Sequence, residues 1–177
     1  MLLDELMPHP SPKPSMEQYT LLGDDAAHFL WLARRDLEGS VVVDLGCGSG
    51  RLAIGAVILG ASFAIGVDVD LEALRAARVN AARAGVERST SWVHARVPEL
   101  SLRADVVIQN PPFGVQRRGA DRAFIECSLR IAPVVYSMHK SVEGSRGTMD
   151  IRLPATFNYH VKRFKKVRVD IYRFTKP

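Results

Sequence analysis

Apolar residues along this chain follow two alternating patterns. Short continuous apolar runs, such as Val41–Val43 and Val106–Ile108, are typical of strands buried on both faces of a parallel sheet. The stretches between them have helical spacing. The predicted strands lie near 41–45, 63–68, 91–94, 105–109, 133–137 and 166–174, and the predicted helices near 24–35, 51–59, 71–84 and 121–131. This alternation predicts an α/β fold with a mainly parallel, twisted sheet and helices on both faces.

The two ends of the chain differ from this pattern. Apolar and polar side chains alternate in residues 166–174, which indicates a half-exposed strand near the sheet edge, and we expect this last strand to be antiparallel. Residues 151–177 are predicted as a basic, hairpin-like segment. The prolines between Pro8 and Pro14 prevent a helix, so residues 1–15 are predicted as an extended arm.

Length and composition indicate one domain over residues 1–177, because a chain of 177 residues can bury one sizeable core. No apolar run approaches the length of a membrane span, and the first residues lack the basic-then-apolar order of a secretory signal. Cys47 and Cys127 provide neither a metal cluster nor a disulfide framework. We therefore expect a cytoplasmic protein without bound metal.

Positive charge is concentrated at the C-terminal end. Residues 151–177 contain eight Lys or Arg and a single acid, Asp170. This charge could bind the phosphates of a nucleic acid, or it could be a solvated basic face that serves solubility. The candidates for phosphate contact, including a second basic element near the middle of the chain, are Arg117, Arg118, Lys140, Lys162, Arg163, Lys165 and Lys166.

A glycine-rich loop follows the first predicted strand. Residues Asp44–Gly50 have the spacing G-x-G-x-G, which differs from the dinucleotide fingerprint. Glycines permit positive φ and close backbone approach, and the next helix offers unpaired N–H groups. Asp44 suits a cationic amino acid moiety better than a pyrophosphate. Asp68 ends the neighbouring strand and can accept both ribose hydroxyls, whereas Asp70 is better placed as a helix N-cap.

The segment Asn110–Gly114 closes another buried strand, where a doubly wound sheet places its chemistry. It resembles the amine-methyltransferase signature Asn-Pro-Pro-Phe, although a proline-rich turn would also fit. In such enzymes an Asn oxygen and a Pro carbonyl accept both hydrogens of a planar NH2 group, and an aromatic ring stacks on the substrate. These acceptors stabilise positive charge that appears on the nitrogen only in the transition state.

Five segments of the chain occur together in one known pattern: Met16–Tyr19, Asp44–Gly50, Asn110–Gly114, Tyr136–Lys140 and Asp170–Phe174. From about residue 8 onward the chain resembles the methyltransferase-like protein 5 family and its archaeal relatives. The resemblance implies a Rossmann-like class I methyltransferase fold and S-adenosylmethionine as the cofactor. It also implies N6-methylation of an adenosine in small-subunit ribosomal RNA, and a small zinc-binding activator protein that forms a heterodimer with the enzyme and covers an apolar edge of the sheet.

The resemblance implies roles for individual residues as well. The adenine site and the catalytic group would consist of Asn110, Pro111, Pro112 and Phe113. Residues of the N-terminal side would fold over the cofactor, and Asp68 would hold its ribose. The cofactor residues implied are Gln18, Tyr19, Asp44, Gly46, Cys47, Gly48, Gly50, Asp68, Val69 and Val97.

Three features depart from the family pattern. Thr20 is displaced by one position from the usual Thr-Pro pair, and Arg96 stands where relatives place an acid that accepts the cofactor adenine amino group. Backbone atoms of Arg96 or Val97 could still meet the adenine edge. Only residues 141–152 lie where the family has a helix and half a strand, so either a covering helix is lost, which would expose an apolar sheet face, or a stretch is missing from the sequence.

Other functions fit the same motifs. A protein glutamine or DNA adenine methyltransferase would also need the tetrad at Asn110–Phe113, because it also methylates a planar NH2 group. A cofactor-binding scaffold without catalysis would explain the weakened pocket that Arg96 indicates. We expect Lys140 to contact RNA phosphate and His139 to be a packed or hydrogen-bonded residue rather than a catalyst.

Overall fold

The chain forms one twisted sheet flanked by helices in a computed structural model that describes residues 2–112, 120–141, 149–154 and 164–176. Seven strands are found in these residues, in the order β3-β2-β1-β4-β5-β7-β6. Strands β1 to β5 are parallel, and β7 is antiparallel to both of its neighbours. The predicted fold class is confirmed. The strands are β1 Val41–Leu45, β2 Phe63–Asp68, β3 Thr90–His94, β4 Val106–Gln109, β5 Val134–Lys140, β6 Met149–Pro154 and β7 Phe164–Thr175.

Four of the five α-helices in the described residues were predicted from sequence. They are α2 Gly23–Leu37, α3 Arg51–Ile58, α4 Leu71–Arg83 and α5 Ala120–Ile131. The first helix, α1 Leu2–Glu5, corrects the prediction that residues 1–15 are extended throughout. A helical turn forms there because it buries Leu3 and Leu6 in the apolar cluster that contains α2 and α3. Within the described residues, no helix is long and apolar enough to cross a membrane.

Two apolar clusters hold the sheet between its covering layers. The first face packs α1, α2 and α3 against strand residues such as Val42, Ile108 and Met138. The second face packs α5 and the segment 95–104 against Val43, Val107 and their neighbours. Successive residues of a strand point to opposite faces, so the continuous apolar runs of β1 and β4 supply both clusters. The carboxyl ends of the parallel strands are left free for the polar residues that follow them.

The C-terminal strands meet in a way that the sequence did not predict. Lys140 at the end of β5 and Met149 at the start of β6 both lie opposite Val169, on the two sides of β7. Strand β6, which we had not predicted, therefore begins at the level where β5 ends. In the sequence, residues 141–148 alone connect β5 to β6. A short connection suffices because the chain only has to move across β7.

Candidate active site

A cavity of about 720 Å³ opens at the carboxyl ends of the parallel strands. One wall is the glycine loop after β1, and another is the segment from 15 to 21, which precedes α2. The end of β2 and the segment after β3 line a third side. The tetrad after β4 and the start of α5 complete the lining with Asn110, Pro111, Pro112, Ala123 and Phe124. The fold thus brings the two sequence motifs to opposite sides of one cavity.

The glycine loop is held open by hydrogen bonds to β2. The backbone N–H groups of Gly46 and Cys47 both donate to the Val67 carbonyl, at 2.8 and 3.0 Å, and that of Gly48 donates to Asp68 Oδ2 at 2.8 Å. Gly46 and Gly48 have φ of 72° and 53°, which explains the choice of glycine. A Cβ on Gly46 would also lie 3.1 Å from the Phe124 ring. The loop therefore leaves room for a ligand against its backbone.

Asp44 is a buried acid at the bottom of this cavity. Its side chain is almost fully buried, and Oδ2 accepts a hydrogen bond of 3.1 Å from the backbone N–H of Ala53 in the first turn of α3. Burial raises the pKa of Asp44 to about 7, against the effect of that hydrogen bond, and the nearby Asp68 carboxylate raises it further. A cation beside Asp44 would restore the ionised form. This environment suits the cationic amino acid moiety expected from the sequence.

Asp68 lines the cavity, whereas Asp70 caps a helix. Both oxygens of Asp68 accept backbone N–H groups, from Gly48 at 2.8 Å and from Asp70 at 2.9 Å, while burial raises its pKa. Asp68 lines the cavity at the end of β2. Asp70 caps α4 by accepting from the Glu72 N–H at 3.0 Å, which confirms the predicted N-cap.

Asp70 also holds the N-terminal segment that covers the cavity. Its Oδ2 accepts from Lys13 Nζ at 2.8 Å and from Gln18 Nε2 at 3.1 Å, and His9 Nε2 lies 3.5 Å away. Burial alone would raise the pKa of Asp70, but the hydrogen bonds from Lys13 and Gln18 outweigh burial and lower it. The carboxylate is therefore ionised, and it binds a segment that we call the strap, residues 6–21.

Two more buried side chains attach the strap to the rest of the site. Asn80 in α4 accepts from the Met7 N–H and donates to the Met7 and Ser49 carbonyls, each at 2.9 Å. Arg51, the first residue of α3, donates to the Leu6 carbonyl at 2.8 Å and to the Leu21 carbonyl. The strap is thereby fixed to the two helices that follow β1 and β2. Gln18 and Tyr19 consequently line the cavity from the N-terminal side.

The tetrad provides an acceptor without a partner in the described part of the chain. Asn110 Oδ1 is buried and has no hydrogen bond, although Asn110 lines the cavity. A buried acceptor in this state is costly unless a ligand satisfies it. The Pro111 carbonyl lies next to it in sequence, and prolines fix the local backbone. The site is thus prepared to accept hydrogens from a group in the cavity; Phe113 lies outside the described residues.

The segment after β3 contributes charged residues of both signs to the lining of the cavity. Arg96, Val97 and Glu99 all line it. The Val97 carbonyl already accepts from Cys127 Sγ at 2.7 Å and from the Leu100 N–H at 3.3 Å, which leaves it less able to meet an adenine amino group. Glu99 is the carboxylate nearest in sequence to the missing acid. Sequence analysis did not identify Glu99 because it lies three positions after Arg96, where the acid was expected.

All predicted cofactor residues except Gly50 line the cavity. Gly50 turns the other way, since a Cβ there would collide with the Trp92 ring, so its role is in packing. Burial raises the pKa of the Cys47 thiol, which favours a neutral side chain. Among the predicted phosphate contacts, Lys140 and Lys166 are exposed, Lys165 lies in β7, and the remaining four, Arg117, Arg118, Lys162 and Arg163, lie outside the described residues.

The described residues contain no group of His, Cys, Asp or Glu that could hold a metal ion. His139 follows the expectation of a hydrogen-bonded residue, because its Nε2 lies 2.7 Å from Ser137 Oγ. Sequence analysis missed the strap contacts of Asn80 and Arg51. The only signal was an Asn inside a helix and an Arg after a glycine loop, and neither pattern points to a partner.

Comparisons with known proteins identify relatives of this chain. The profile of ribosomal protein L11 methyltransferase (PrmA) matches residues 27–111. An uncharacterised protein of Methanocaldococcus jannaschii is 39% identical, with 99% of this chain and 92% of the relative covered. The rRNA N(6)-adenosine-methyltransferase Mettl5 of Drosophila melanogaster is 32% identical, with 92% and 88% covered. The alignment with the archaeal protein extends over 201 positions, so it includes gaps in this chain of 177 residues.

Solved structures show the same relationship. A Pyrococcus horikoshii protein provisionally assigned as an RNA methyltransferase superposes with a TM-score of 0.90 at 38% identity, with 98% of this chain and 94% of that chain covered. At 17% to 22% identity, and TM-scores from 0.54 to 0.62, the fold is shared with methyltransferases crystallised with S-adenosylmethionine or S-adenosylhomocysteine. The sheet and the helices around it therefore have the fold of these methyltransferases.

Proposed function

Because this chain belongs to the METTL5 family of rRNA N(6)-adenosine methyltransferases, we propose that it transfers a methyl group from S-adenosylmethionine to N6 of an adenosine in ribosomal RNA. The observation that supports this most directly is the buried Asn110 Oδ1, which has no partner among the described residues and belongs to a residue that lines the same cavity as the glycine loop. An adenine amino group would satisfy it.

The chemistry depends on making a poor nucleophile react. The N6 lone pair of adenine is delocalised into the ring, so two acceptors must hold both N–H bonds while the nitrogen becomes pyramidal. Asn110 Oδ1 and the Pro111 carbonyl are the acceptors in this proposal. Their interaction strengthens as N6 becomes positive, and this differential binding lowers the barrier. The C–S bond breaks as the N–C bond forms, and the methylated amine then loses its proton to water.

The residues around the glycine loop fit S-adenosylmethionine, which supplies an electrophilic methyl group. Asp44 would hold the cationic amino acid end, and Asp68 the ribose hydroxyls, at the positions where their carboxyl groups line the cavity. Gln18 and Tyr19 would cover the cofactor from the strap. The target adenosine must leave its stack to reach Asn110, which costs a few kcal/mol in paired RNA and less in an irregular region.

We extend the proposal to small-subunit ribosomal RNA and to a small zinc-binding activator protein as the partner. The sheet has an open edge at β3, which pairs only with β2 in the described residues. The exposed Val69 lies beside the end of that strand, with its carbonyl 3.0 Å from His94 Nε2, and Leu71, two residues further on, is also an exposed apolar side chain. A partner that covers this edge would remove both from water. The buried free cysteines, Cys47 and Cys127, support a reducing, cytoplasmic compartment.

The deciding experiment is transfer of an isotope-labelled methyl group to total RNA, DNA and protein, with and without the activator, followed by nucleoside and amino acid mass spectrometry. The expected product is N6-methyladenosine in small-subunit ribosomal RNA, with no label from an Asn110→Ala variant. Label in DNA would identify a DNA adenine methyltransferase instead, and label in glutamine would identify a protein glutamine methyltransferase. No label in any fraction, from a protein that still binds the cofactor, would favour the non-catalytic scaffold.

A further inference from the structure

Strand β7 presents a row of side chains on the second face of the sheet. Tyr172 pairs with Ser137, and Phe174 with Val135, in the antiparallel ladder, so each pair shares a face. Phe174 and Val135 pack in the second apolar cluster, which identifies that face. The strand alternates, so Lys166 and Arg168 lie on the same face as Tyr172.

Tyr172 is a large aromatic residue that this arrangement leaves 45% exposed. Its ring stacks on Phe174 with the centroids 5.9 Å apart and 25° between the planes. The His139 ring meets it edge-on at 5.7 Å and 64°. Neighbours on two sides therefore fix the ring, so little conformational entropy remains to be lost when another flat group contacts it.

The ring lies close to the catalytic tetrad. Gln109 Nε2 donates to Ser137 Oγ at 2.9 Å, and that hydroxyl contacts His139 Nε2 at 2.7 Å, so polar contacts run from the residue before Asn110 to the neighbour of Tyr172. Gln109, Ser137 and Tyr172 occupy the same level on β4, β5 and β7. At a strand spacing of about 4.8 Å, Tyr172 is roughly 10 Å to the side of Gln109.

The charge around Tyr172 favours a polyanion. Lys166 and Arg168 are exposed on its face, whereas Lys140, which pairs with Val169 of the first apolar cluster, is exposed on the opposite face at the end of β5. Asp170, the acid of this row, is buried. Exposed sheet aromatics flanked by cations bind single-stranded nucleic acid, because every base offers a π-face and every nucleotide a phosphate. An acidic peptide would use the cations and leave the ring without a flat partner.

We propose that Tyr172 is a stacking platform for an unpaired base of the RNA strand that flanks the target adenosine. The proposal rests on the proposed function and adds to it a base-binding position beside the adenine site. Lys166 and Arg168 contact the phosphates of the same strand. The short connection between β5 and β6 matters here, because a longer chain could place a helix over this face.

The test is binding of fluorescein-labelled oligoadenylate, single-stranded or annealed to oligouridylate, to protein saturated with S-adenosylhomocysteine. We expect Tyr172→Ala to weaken single-strand binding about tenfold and to leave duplex binding nearly unchanged. Tyr172→Phe, which keeps the ring, should bind like the wild type. Trp31→Ala is the matched control, since Trp31 is 58% exposed on α2 at the first face. The slope of log Kd against log salt should stay the same in Tyr172→Ala, because stacking releases no counterions.

Unchanged single-strand affinity in Tyr172→Ala would overturn the proposal, and so would an equal loss on single strand and duplex. A variant that unfolds is replaced by wild-type protein crosslinked to RNA containing 4-thiouridine. Mass spectrometry should then find the crosslink on Tyr172, and crosslinks confined to other peptides would reject the platform. A wild type that methylates no RNA rejects the proposed function, whereas a Tyr172→Ala enzyme that methylates with an unchanged KM for RNA rejects the platform alone.

Discussion

The buried carboxyl group of Asp44 should make cofactor binding depend on pH. Burial raises its pKa from an ordinary value of 3.8 to about 7, so roughly half of the free protein carries a neutral Asp44 at pH 7. Binding of a cationic amino acid group next to it requires the ionised form. Because the ionised fraction is about ten times larger at pH 8 than at pH 6, S-adenosylhomocysteine should bind about tenfold more tightly at pH 8.

Isothermal titration calorimetry at several pH values measures this affinity. At pH 7, titrations in two buffers of different ionisation enthalpy should show release of about half a proton for each ligand bound. The Asp44→Asn variant keeps an acceptor for the Ala53 N–H but cannot ionise, so it should bind weakly at every pH. His9 also lines the cavity, so His9→Gln is the matched control.

The same carboxyl group affects stability with a defined sign. A raised pKa means that the folded protein holds the proton more tightly than the unfolded chain, so the contribution of Asp44 to stability falls as pH rises from about 4 to about 7. A change from 3.8 to about 7 corresponds to about 4 kcal/mol. Without cofactor, Asp44→Asn should therefore resist urea better than the wild type at pH 8 and similarly at pH 4. Two results together would refute the reasoning: equal ligand affinity at pH 6 and pH 8, and the same difference in urea stability between Asp44→Asn and the wild type at pH 4 and pH 8.

Four other changes test the rest of the site. Asn110→Ala should lower kcat by at least about a hundredfold, while calorimetry shows nearly unchanged cofactor affinity, because its acceptor acts mainly in the transition state. Asn80→Ala should lower the free energy of unfolding by about 2 kcal/mol and weaken cofactor binding, because the buried Asn80 side chain loses three hydrogen bonds to the strap and the glycine loop. A variant that is less stable in urea but binds the cofactor normally would show that the strap does not shape the cofactor site. Arg96→Asp should bind the cofactor more tightly if an acid there accepts the adenine amino group, and unchanged affinity in calorimetry would leave that task to Glu99. Lys165→Ala with Lys166→Ala should weaken RNA binding more at low salt than at high salt. An unchanged slope of log Kd against log salt would show that both residues belong to a solvated basic face that does not contact RNA.

Strands and helices could be predicted from the sequence where the local residue pattern is consistent with the fold. The boundaries of β1 and β2 match the prediction because each is a mainly apolar run with a polar residue or a glycine at its carboxyl end. The motifs at Asp44–Gly50 and Asn110–Gly114 both follow such runs. Parallel strands place their carboxyl ends at one edge, so the position of the site followed from topology alone.

The missed elements are those that only distant contacts make stable. Strand β6 is short and ends at Pro154, and it becomes a strand because it pairs with β7. Helix α1 is a single turn, which local propensity cannot sustain in water, and it exists because Leu3 is buried beside Leu30 of α2 and Gly55 of α3. The local sequence of each segment predicts neither its burial nor its pairing partner.

By itself the sequence determined the α/β alternation, the glycine loop and the tetrad, because these depend on short-range periodicity and on residue types at fixed spacing. Tertiary structure alone decided that Asn80 holds Met7, a residue 73 positions away, and that Tyr172 stands exposed beside His139. Such contacts depend on which segments the sheet order brings together. The physical reason is that a side chain's propensity acts over a few residues, whereas its partner is chosen by the packing of the whole chain.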